Sequence, residues 1–197
     1  MGISVSTVTE IMTTYFSRPG PENTEKTLRV AKEYAERYGI RNVVVASTTG
    51  RTGLLATEVF KGFNLVIVTH ATGFIKPGYQ EMSEDVRREL ERRGAKVLTC
   101  VHAFAGVERG IRQALNIWLP VELIALALRR LFGEGVKVAI EITLMAADAG
   151  LIPLDEDVIA IAGTGHGADT ALHIKPATTS NFFDLKVRRI ICKPDTF

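Results

Sequence analysis

Three uninterrupted apolar runs constrain the fold of this chain more than any other feature. Asn42–Ala46 contains Val43-Val44-Val45, Leu65–Val68 is entirely aliphatic, and Val158–Ala162 has no polar residue. Such runs are typical of strands that are buried on both faces, as in parallel sheets. Because segments with helical spacing separate them, the pattern predicts a three-layer α/β/α fold with a mostly parallel sheet.

One pair of segments near the C-terminus departs from this alternation. Ala171–Lys175 follows Val158–Ala162 after a glycine-rich turn that is too short for a helical crossover, so we predict an antiparallel hairpin there. Two further helices are predicted at Gly106–Trp118 and Pro120–Phe132. We therefore expect a single domain over residues 1–197, with a helical elaboration at about 102–135.

Charge and hydropathy exclude several classes of partner. The 24 Lys and Arg residues against 22 Asp and Glu give a net charge of +2, without the basic clusters of a nucleic-acid-binding protein. The longest apolar run, Ile117–Leu128, contains Pro120 and Glu122 and is too short for a transmembrane helix. The first twelve residues lack the basic start of a signal peptide. We expect a cytoplasmic protein that binds neither nucleic acid nor membrane.

A hydroxyl-rich loop is the strongest motif in the sequence. Ser47-Thr48-Thr49-Gly50-Arg51-Thr52 follows a predicted buried strand and begins a predicted helix. Ligands of α/β sheets bind beyond the carboxyl ends of the strands, where hydroxyls, free N–H groups and the helix dipole attract an anion. Arg51 can add a bidentate contact. The alternative is a Ser/Thr helix cap with a surface arginine, and the GK[ST] element of a Walker loop is missing.

A second glycine-rich segment lies at the same edge of the predicted sheet. Gly163-Thr164-Gly165-His166-Gly167-Ala168-Asp169 has the spacing of a loop that allows close approach to a phosphate or a flat ring. It is not a Rossmann fingerprint, because a strand and not a helix follows it. A flexible hairpin turn is the alternative.

Three of the four histidines, His70, His102 and His166, fall just after predicted strands. Without an HExxH or paired-carboxylate pattern we predict no metal site and interpret these histidines as ligand contacts or structural residues. If the protein is an enzyme, His70 and His102 are the candidates for proton transfer. No nucleophile, base and orienting residue can be identified from spacing. Trp118 is interpreted as a packing residue or a contact in a homo-oligomer.

The two loops resemble those of the pyruvate kinase C-terminal domain, which hold the phosphates of an allosteric sugar bisphosphate. Val44–Thr52 resembles its Ser-Gly-Arg-Ser/Thr loop, and Gly163–Ile174 resembles its last hairpin. The likeness covers roughly Asn23–Thr69 and Val136–Lys175, and the chain is far too short to include the catalytic barrel of a pyruvate kinase.

The whole chain is more similar still to a stand-alone, mainly archaeal family built on this domain and associated with flavin mononucleotide (FMN). The matching residues are Tyr15-Phe16, Pro19-Gly20, Glu22-Asn23-Thr24, Thr69, Thr72-Gly73-Phe74, Glu141-Ile142-Thr143, Met145-Ala146-Ala147-Asp148, Gly167-Ala168-Asp169-Thr170 and Asn181-Phe182-Phe183-Asp184.

The resemblance implies a binding protein for a phosphorylated ligand, with FMN as the expected cofactor. A flavin-dependent oxidoreductase, a phosphotransferase, hydrolase or other sugar-phosphate-binding enzyme, and a regulatory subunit remain alternatives. The expected ligand contacts are Ser47, Thr48, Thr49, Gly50, Arg51, Thr52, Thr69, His70, Thr72, Gly73, Phe74, Gly163, Thr164, Gly165, His166, Gly167 and Asp169.

Overall fold

A computed structural model describes residues 11–197 and shows a seven-stranded sheet with helices on both faces. Residues 1–10, on which part of the localisation prediction depends, lie outside the described range. The strands are β1 (Thr14–Phe16), β2 (Asn42–Ala46), β3 (Asn64–Val68), β4 (Lys96–Leu98), β5 (Val158–Ala162), β6 (Thr170–Lys175) and β7 (Lys186–Pro194). The helices are α1 (Thr24–Arg37), α2 (Arg51–Val59), α3 (Glu84–Arg92), α4 (Gly106–Leu115), α5 (Pro120–Phe132) and α6 (Glu134–Asp148).

The strand order is β1-β7-β6-β5-β2-β3-β4, and β6 alone runs against its neighbours. In the predicted hairpin, Val158 lies opposite Ile174 and Ala162 lies opposite Thr170. The α/β class, the mostly parallel sheet and the antiparallel hairpin are therefore confirmed. Because β1 to β5 and β7 run in one direction, the residues that follow β2, β3, β4 and β5 meet at one edge of the sheet.

Burial of the valine run on both faces follows from the strand period of two. Val43 and Val45 point into the core formed with α1, α2 and α3, whereas Val44 points into the core formed with α5 and α6. All three side chains have no exposed surface. The helices thus form the two outer layers that the apolar runs predict.

The segment predicted as a helical elaboration contains α4 and α5. Helix α5 packs against α6, whereas α4 has no buried residue and packs against α5. Among residues 11–197, no single helix is long and apolar enough to cross a membrane. Helices α4 and α5 pass that test of length and composition only as a pair, and they are bent by 96° relative to each other.

Several predicted ends are wrong, each for a local reason. The apolar character of Val97–Val101 predicts a strand over those residues, but β4 ends at Leu98, because its partner β3 ends at Val68. The helix predicted to reach Trp118 ends at Leu115, where Asn116 adopts the left-handed conformation with φ 56°. The β-rich residues Met12–Phe16 likewise predict a first strand, but β1 pairs with β7 only over Thr14–Phe16.

Candidate functional site

The carboxyl edge of the sheet opens into a cleft of about 1170 Å³. One side is formed by residues 47–52, which we call the hydroxyl loop, and by residues 163–169, which we call the glycine loop. The opposite side, which we call the helical wall, consists of α4, α5 and α6. The two loops predicted to form a composite site therefore line one cleft.

The backbone N–H of Ser47 donates to the Val68 carbonyl at 2.9 Å, whereas the following N–H groups of the hydroxyl loop have no partner within residues 11–197. Ser47 Oγ accepts the N–H of Gly53 at 3.0 Å and caps α2. Within residues 11–197, the N–H groups of residues 48–52 donate to no protein acceptor, and the exposed Arg51 makes no ion pair. Unpaired amides at a helix N-terminus beside a free guanidinium form a good anion-binding arrangement.

Gly50 shapes this loop and does not line the cleft. Its φ of 89° lies in the left-handed region, and a Cβ atom there would collide with the side chain of Val86 on α3. The hydroxyl loop therefore needs glycine at this position for its turn and for close packing on α3.

The glycine loop is held by Asp169, which is completely buried. Its carboxylate accepts the N–H of Gly20 at 3.3 Å, the N–H of Thr164 at 3.1 Å and the hydroxyl of Thr170 at 2.8 Å. The N–H of Ala168 donates to the Thr24 hydroxyl at 3.0 Å. Asp169 thus anchors the loop to the segment before α1, while residues 163–167 line the cleft.

His70 connects a carboxylate with a hydroxyl of the hydroxyl loop. Its Nδ1 lies 2.7 Å from Glu81 Oε2, and its Nε2 lies 3.4 Å from Thr48 Oγ1. The buried Thr69 hydroxyl donates to the backbone carbonyl of His70 at 2.8 Å and helps to fix the chain at this point. All of these residues lie between β3 and α3 or at the end of β2, and they meet because the two strands are parallel neighbours.

His102, the other histidine considered for proton transfer, has a different environment. Its Nε2 accepts the N–H of Ala71 at 3.2 Å. Desolvation by burial lowers the pKa of His102 from 6.5 to about 4, so the ring is neutral at pH 7. The structure thus gives His102 a role in anchoring the loop after β3 and leaves His70 as the imidazole that contacts a hydroxyl.

The Phe74 ring packs against the rings of both histidines, with the three rings tilted relative to one another. The Phe74 ring lies 4.2 Å from the His70 ring and 4.9 Å from the His102 ring, centroid to centroid. The guanidinium of Arg109 lies 4.1 Å from the centroid of Phe74. We call these four side chains the aromatic cluster; it borders the cleft near the hydroxyl loop.

Three cations of the helical wall are paired with carboxylates, and a fourth, Arg109, lies over the Phe74 ring. Arg112 Nε lies 2.8 Å from Glu122 Oε2, and Arg129 Nε lies 2.7 Å from Glu134 Oε2. Lys137 Nζ lies 2.5 Å from Glu141 Oε2, and both side chains are buried. Desolvation lowers the pKa of Lys137, and the neighbouring Glu141 opposes that shift.

Glu141 also connects this wall to the loop that follows β4. Its Oε1 accepts the N–H of Phe104 at 2.9 Å, so one buried carboxylate serves both a lysine and a backbone amide. The loop carrying His102 is thereby attached to α6. No cluster of three or more metal-ligating side chains occurs within residues 11–197.

Most of the predicted contact residues come together, and four do not reach the cleft. Those that line it are Ser47, Thr48, Thr49, Arg51, Thr52, Thr69, His70, Phe74, His102, Gly163, Thr164, Gly165, His166 and Gly167. Those that do not are Gly50, Thr72, Gly73 and Asp169.

Sequence reasoning missed several side chains of the cleft. Glu81 lies eleven residues from His70 in an irregular loop, and no periodicity connects the two. Arg109 and Phe104 reach the cleft through the fold of residues 102–109. Lys137 and Glu141 did carry an indication, since an i, i+4 pair of opposite charge in an apolar helix predicts a buried ion pair.

Comparison with known proteins identifies the fold family. The family model described as pyruvate kinase, alpha/beta domain matches residues 25–173, more than half of the chain. A pyruvate kinase from Cryptosporidium parvum is similar at 17% identity and a TM-score of 0.39, over 76% of this chain and 22% of that one. An NH3-dependent NAD synthetase from Campylobacter jejuni is similar at 15% identity and a TM-score of 0.33, over 70% of this chain and 54% of that one.

The chain therefore spans about a fifth of the length of that pyruvate kinase, 22%. The predicted likeness to the C-terminal domain is confirmed by the family match, which includes the hydroxyl loop and most of the hairpin. This chain belongs to the pyruvate kinase alpha/beta domain family.

Proposed function

We propose that the protein binds a phosphorylated ligand in the cleft, with its phosphate on the hydroxyl loop. The observation that carries the proposal is the row of N–H groups at residues 48–52 that have no acceptor among residues 11–197. Beside them stand the hydroxyls of Thr48, Thr49 and Thr52 and the unpaired Arg51, all of which line the cleft. Backbone donors and arginine are the groups that bind phosphate most strongly.

FMN is the ligand that we propose. Ligand pockets measure roughly 300–1,000 Å³, and this cleft, at about 1170 Å³, lies just above that range and has room for a nucleotide. The residues present fit the group, because the aromatic cluster places three ring side chains and the Arg109 guanidinium at the cleft beside the hydroxyl loop, where an isoalloxazine ring could contact them. The glycine loop, on the same side of the cleft as the hydroxyl loop, lets its backbone approach a ligand closely at Gly165, which has open space where a side chain would be.

The resemblance to the stand-alone, mainly archaeal family associated with FMN supports the same ligand. It also supports a nucleotide-binding protein. A cytoplasmic location is part of the proposal: Cys100 and Cys192 are free thiols, as expected in a reducing compartment.

A sugar-phosphate ligand is the second candidate, and the family match favours it. It would use the hydroxyl loop in the same way but would not need the aromatic cluster. A flavin oxidoreductase and a regulatory subunit remain alternatives that share the phosphate site. The two flavin proposals need the rings near His70 to contact the flavin, whereas a sugar-phosphate ligand does not. A regulatory subunit also needs a partner protein.

The absorption spectrum of the purified protein and titration calorimetry test the proposal. We expect flavin bands, or binding of added FMN at least about tenfold tighter than riboflavin, because phosphate adds charge-assisted hydrogen bonds worth roughly 1.5–3 kcal/mol. Equal affinity for FMN and riboflavin would contradict a phosphate site on the hydroxyl loop. Binding of a hexose bisphosphate but not FMN would favour the sugar-phosphate ligand.

A further inference from the structure

We propose that Glu81, His70 and Thr48 form a proton relay that makes Thr48 a nucleophile toward a phosphate monoester. The three side chains are contiguous: Glu81 Oε2 lies 2.7 Å from His70 Nδ1, and His70 Nε2 lies 3.4 Å from Thr48 Oγ1. A carboxylate, an imidazole and a hydroxyl in this order are the parts of an activated nucleophile. The proposal depends on the proposed function only in placing the phosphate on the hydroxyl loop.

The carboxylate fixes the tautomer that the chemistry needs. With Glu81 accepting from Nδ1–H, the Nε2 atom of His70 carries the lone pair that accepts the proton of the Thr48 hydroxyl. The Glu81 side chain is 16% exposed and the His70 side chain is 34% exposed, so the imidazole stays open to the cleft while its partner is sheltered. The 3.4 Å distance is long, and such contacts often tighten only when substrate is bound.

Thr48 is the hydroxyl best placed for attack on phosphorus. It belongs to the hydroxyl loop itself, so a phosphate held by the N–H groups of residues 48–52 lies against its Oγ1. The same amides, together with Arg51, would stabilise the charge on the non-bridging oxygens during transfer. Ser47 is unavailable for this role, because its hydroxyl caps α2 through Gly53.

The reaction balances without an external oxidant or reductant. His70 takes the Thr48 proton as Oγ1 bonds to phosphorus and the bond from phosphorus to the ester oxygen breaks. The departing alkoxide takes that proton from His70 and leaves as an alcohol. Water then attacks the phosphothreonine, His70 accepts its proton and returns it to Thr48 Oγ1, and inorganic phosphate is released. The sum is ester plus water to alcohol plus phosphate.

The test uses p-nitrophenyl phosphate, with FMN and a hexose monophosphate as further substrates. We expect release of p-nitrophenolate and a phosphoryl group on Thr48 in peptide mass spectra of protein quenched in acid during turnover. His70→Ala should lower the rate by roughly a hundredfold or more, and Glu81→Gln by on the order of tenfold. Thr48→Val should abolish both signals, and Thr48→Ser should retain them.

Glu84→Gln is the matched control for Glu81→Gln, since Glu84 is an exposed carboxylate in the first turn of α3 and lies outside the cleft. Its rate should equal that of the wild type. Circular dichroism of each variant checks the fold. If Glu81→Gln folds poorly, the comparison of Thr48→Ser with Thr48→Val still tests whether the Thr48 hydroxyl is the nucleophile. A rate unchanged in Thr48→Val, or a phosphoryl group found on another residue only, would overturn the relay.

FMN affinity, measured by calorimetry for wild type and Glu81→Gln, separates the two proposals. Binding of FMN without phosphate release from any of the three esters would overturn the relay and leave the proposed function standing. Turnover of p-nitrophenyl phosphate through Thr48 without FMN binding would support the relay and remove FMN as the ligand.

Discussion

On one side of the cleft, the amides of residues 48–52 and the guanidinium of Arg51 have no protein partner within residues 11–197. On the helical wall, Arg112, Arg129 and Lys137 each hold a carboxylate at 2.5–2.8 Å. The first side thus keeps its donors available, whereas these three cations of the second side already hold carboxylates; within residues 11–197, Arg109 on α4 has no carboxylate partner and lies over the Phe74 ring.

This difference supports our proposal that the anion binds on the hydroxyl loop. A phosphate on the hydroxyl loop replaces water at donors that are already exposed and gains charge-assisted hydrogen bonds. At Arg112, Arg129 or Lys137 it would have to displace a carboxylate and leave that group uncompensated. The pairs of Arg112 with Glu122 and of Arg129 with Glu134 connect α4 to α5 and α5 to α6, and our proposal places the phosphate on the hydroxyl loop.

The largest expected effect is on stability and concerns the buried pair of the helical wall. Glu141→Gln keeps an acceptor for the Phe104 N–H but removes the charge that compensates Lys137. Removal of one partner from a buried ion pair costs about 3–5 kcal/mol of unfolding free energy. Urea unfolding followed by circular dichroism measures it.

The control combines Glu141→Gln with Lys137→Met, which removes both charges and should recover most of the loss. Arg129→Met breaks the more exposed pair with Glu134 and should cost about 0–1 kcal/mol. If Glu141→Gln costs no more than Arg129→Met, the helical wall is not stabilised by its buried pair.

The next effect is on pH dependence and concerns His102, which lies between the two sides. Its pKa is lowered from 6.5 to about 4 by desolvation, so the unfolded chain binds a proton at a higher pH than the folded chain. The stabilisation is fully present above about pH 6.5 and is lost as the pH falls from there to about 4. We expect a loss of up to about 3 kcal/mol over this interval.

Unfolding free energies of the wild type and of His102→Gln at pH 7, 5.5 and 4.5 measure this loss. Glutamine can still accept the Ala71 N–H but does not titrate, so the variant should show a smaller decline. Parallel declines in the two proteins would mean that His102 is not held neutral by the fold.

A smaller effect, on binding only, compares one arginine from each side. Arg51→Ala should weaken FMN binding by roughly tenfold or more, because a charge-assisted hydrogen bond contributes about 1.5–3 kcal/mol. Arg129→Ala removes an equal charge from the helical wall and should change the affinity by less than about twofold, since Glu134 already neutralises it. Calorimetry of both variants decides; equal losses would contradict the assignment of phosphate to the hydroxyl loop.

The central strands could be predicted because strands buried on both faces consist of uninterrupted apolar residues, which are visible in the sequence. The bounds of β2 and β5 agree with the prediction, since both strands are buried on both faces and every residue of the run is apolar or nearly so. The ends of β1 and β4 could not be predicted, because they depend on the lengths of the partners β7 and β3. Strand ends at the edges of a sheet are set by pairing and not by their own residues.

The candidate site also contains parts that could be predicted from the sequence and parts that could not. The hydroxyl loop could be predicted because it is a continuous motif with a strand before it and a helix after it. Glu81 could not, because it joins His70 across a loop whose path depends on tertiary contacts. Asp169 was predicted to touch the ligand, whereas the structure places it beneath the glycine loop, where its carboxylate accepts from Gly20, Thr164 and Thr170.

Backbone amide chemical shifts test the difference between the two sides most directly. In a titration of the ¹⁵N-labelled protein with FMN, we predict the largest changes at the amides of residues 48–52, with further changes at residues 163–167. Riboflavin, which lacks the phosphate, should leave the amides of residues 48–52 nearly unchanged. Changes concentrated in residues 106–137 with none at residues 48–52 would contradict the account, because the anion would then be bound by the helical wall.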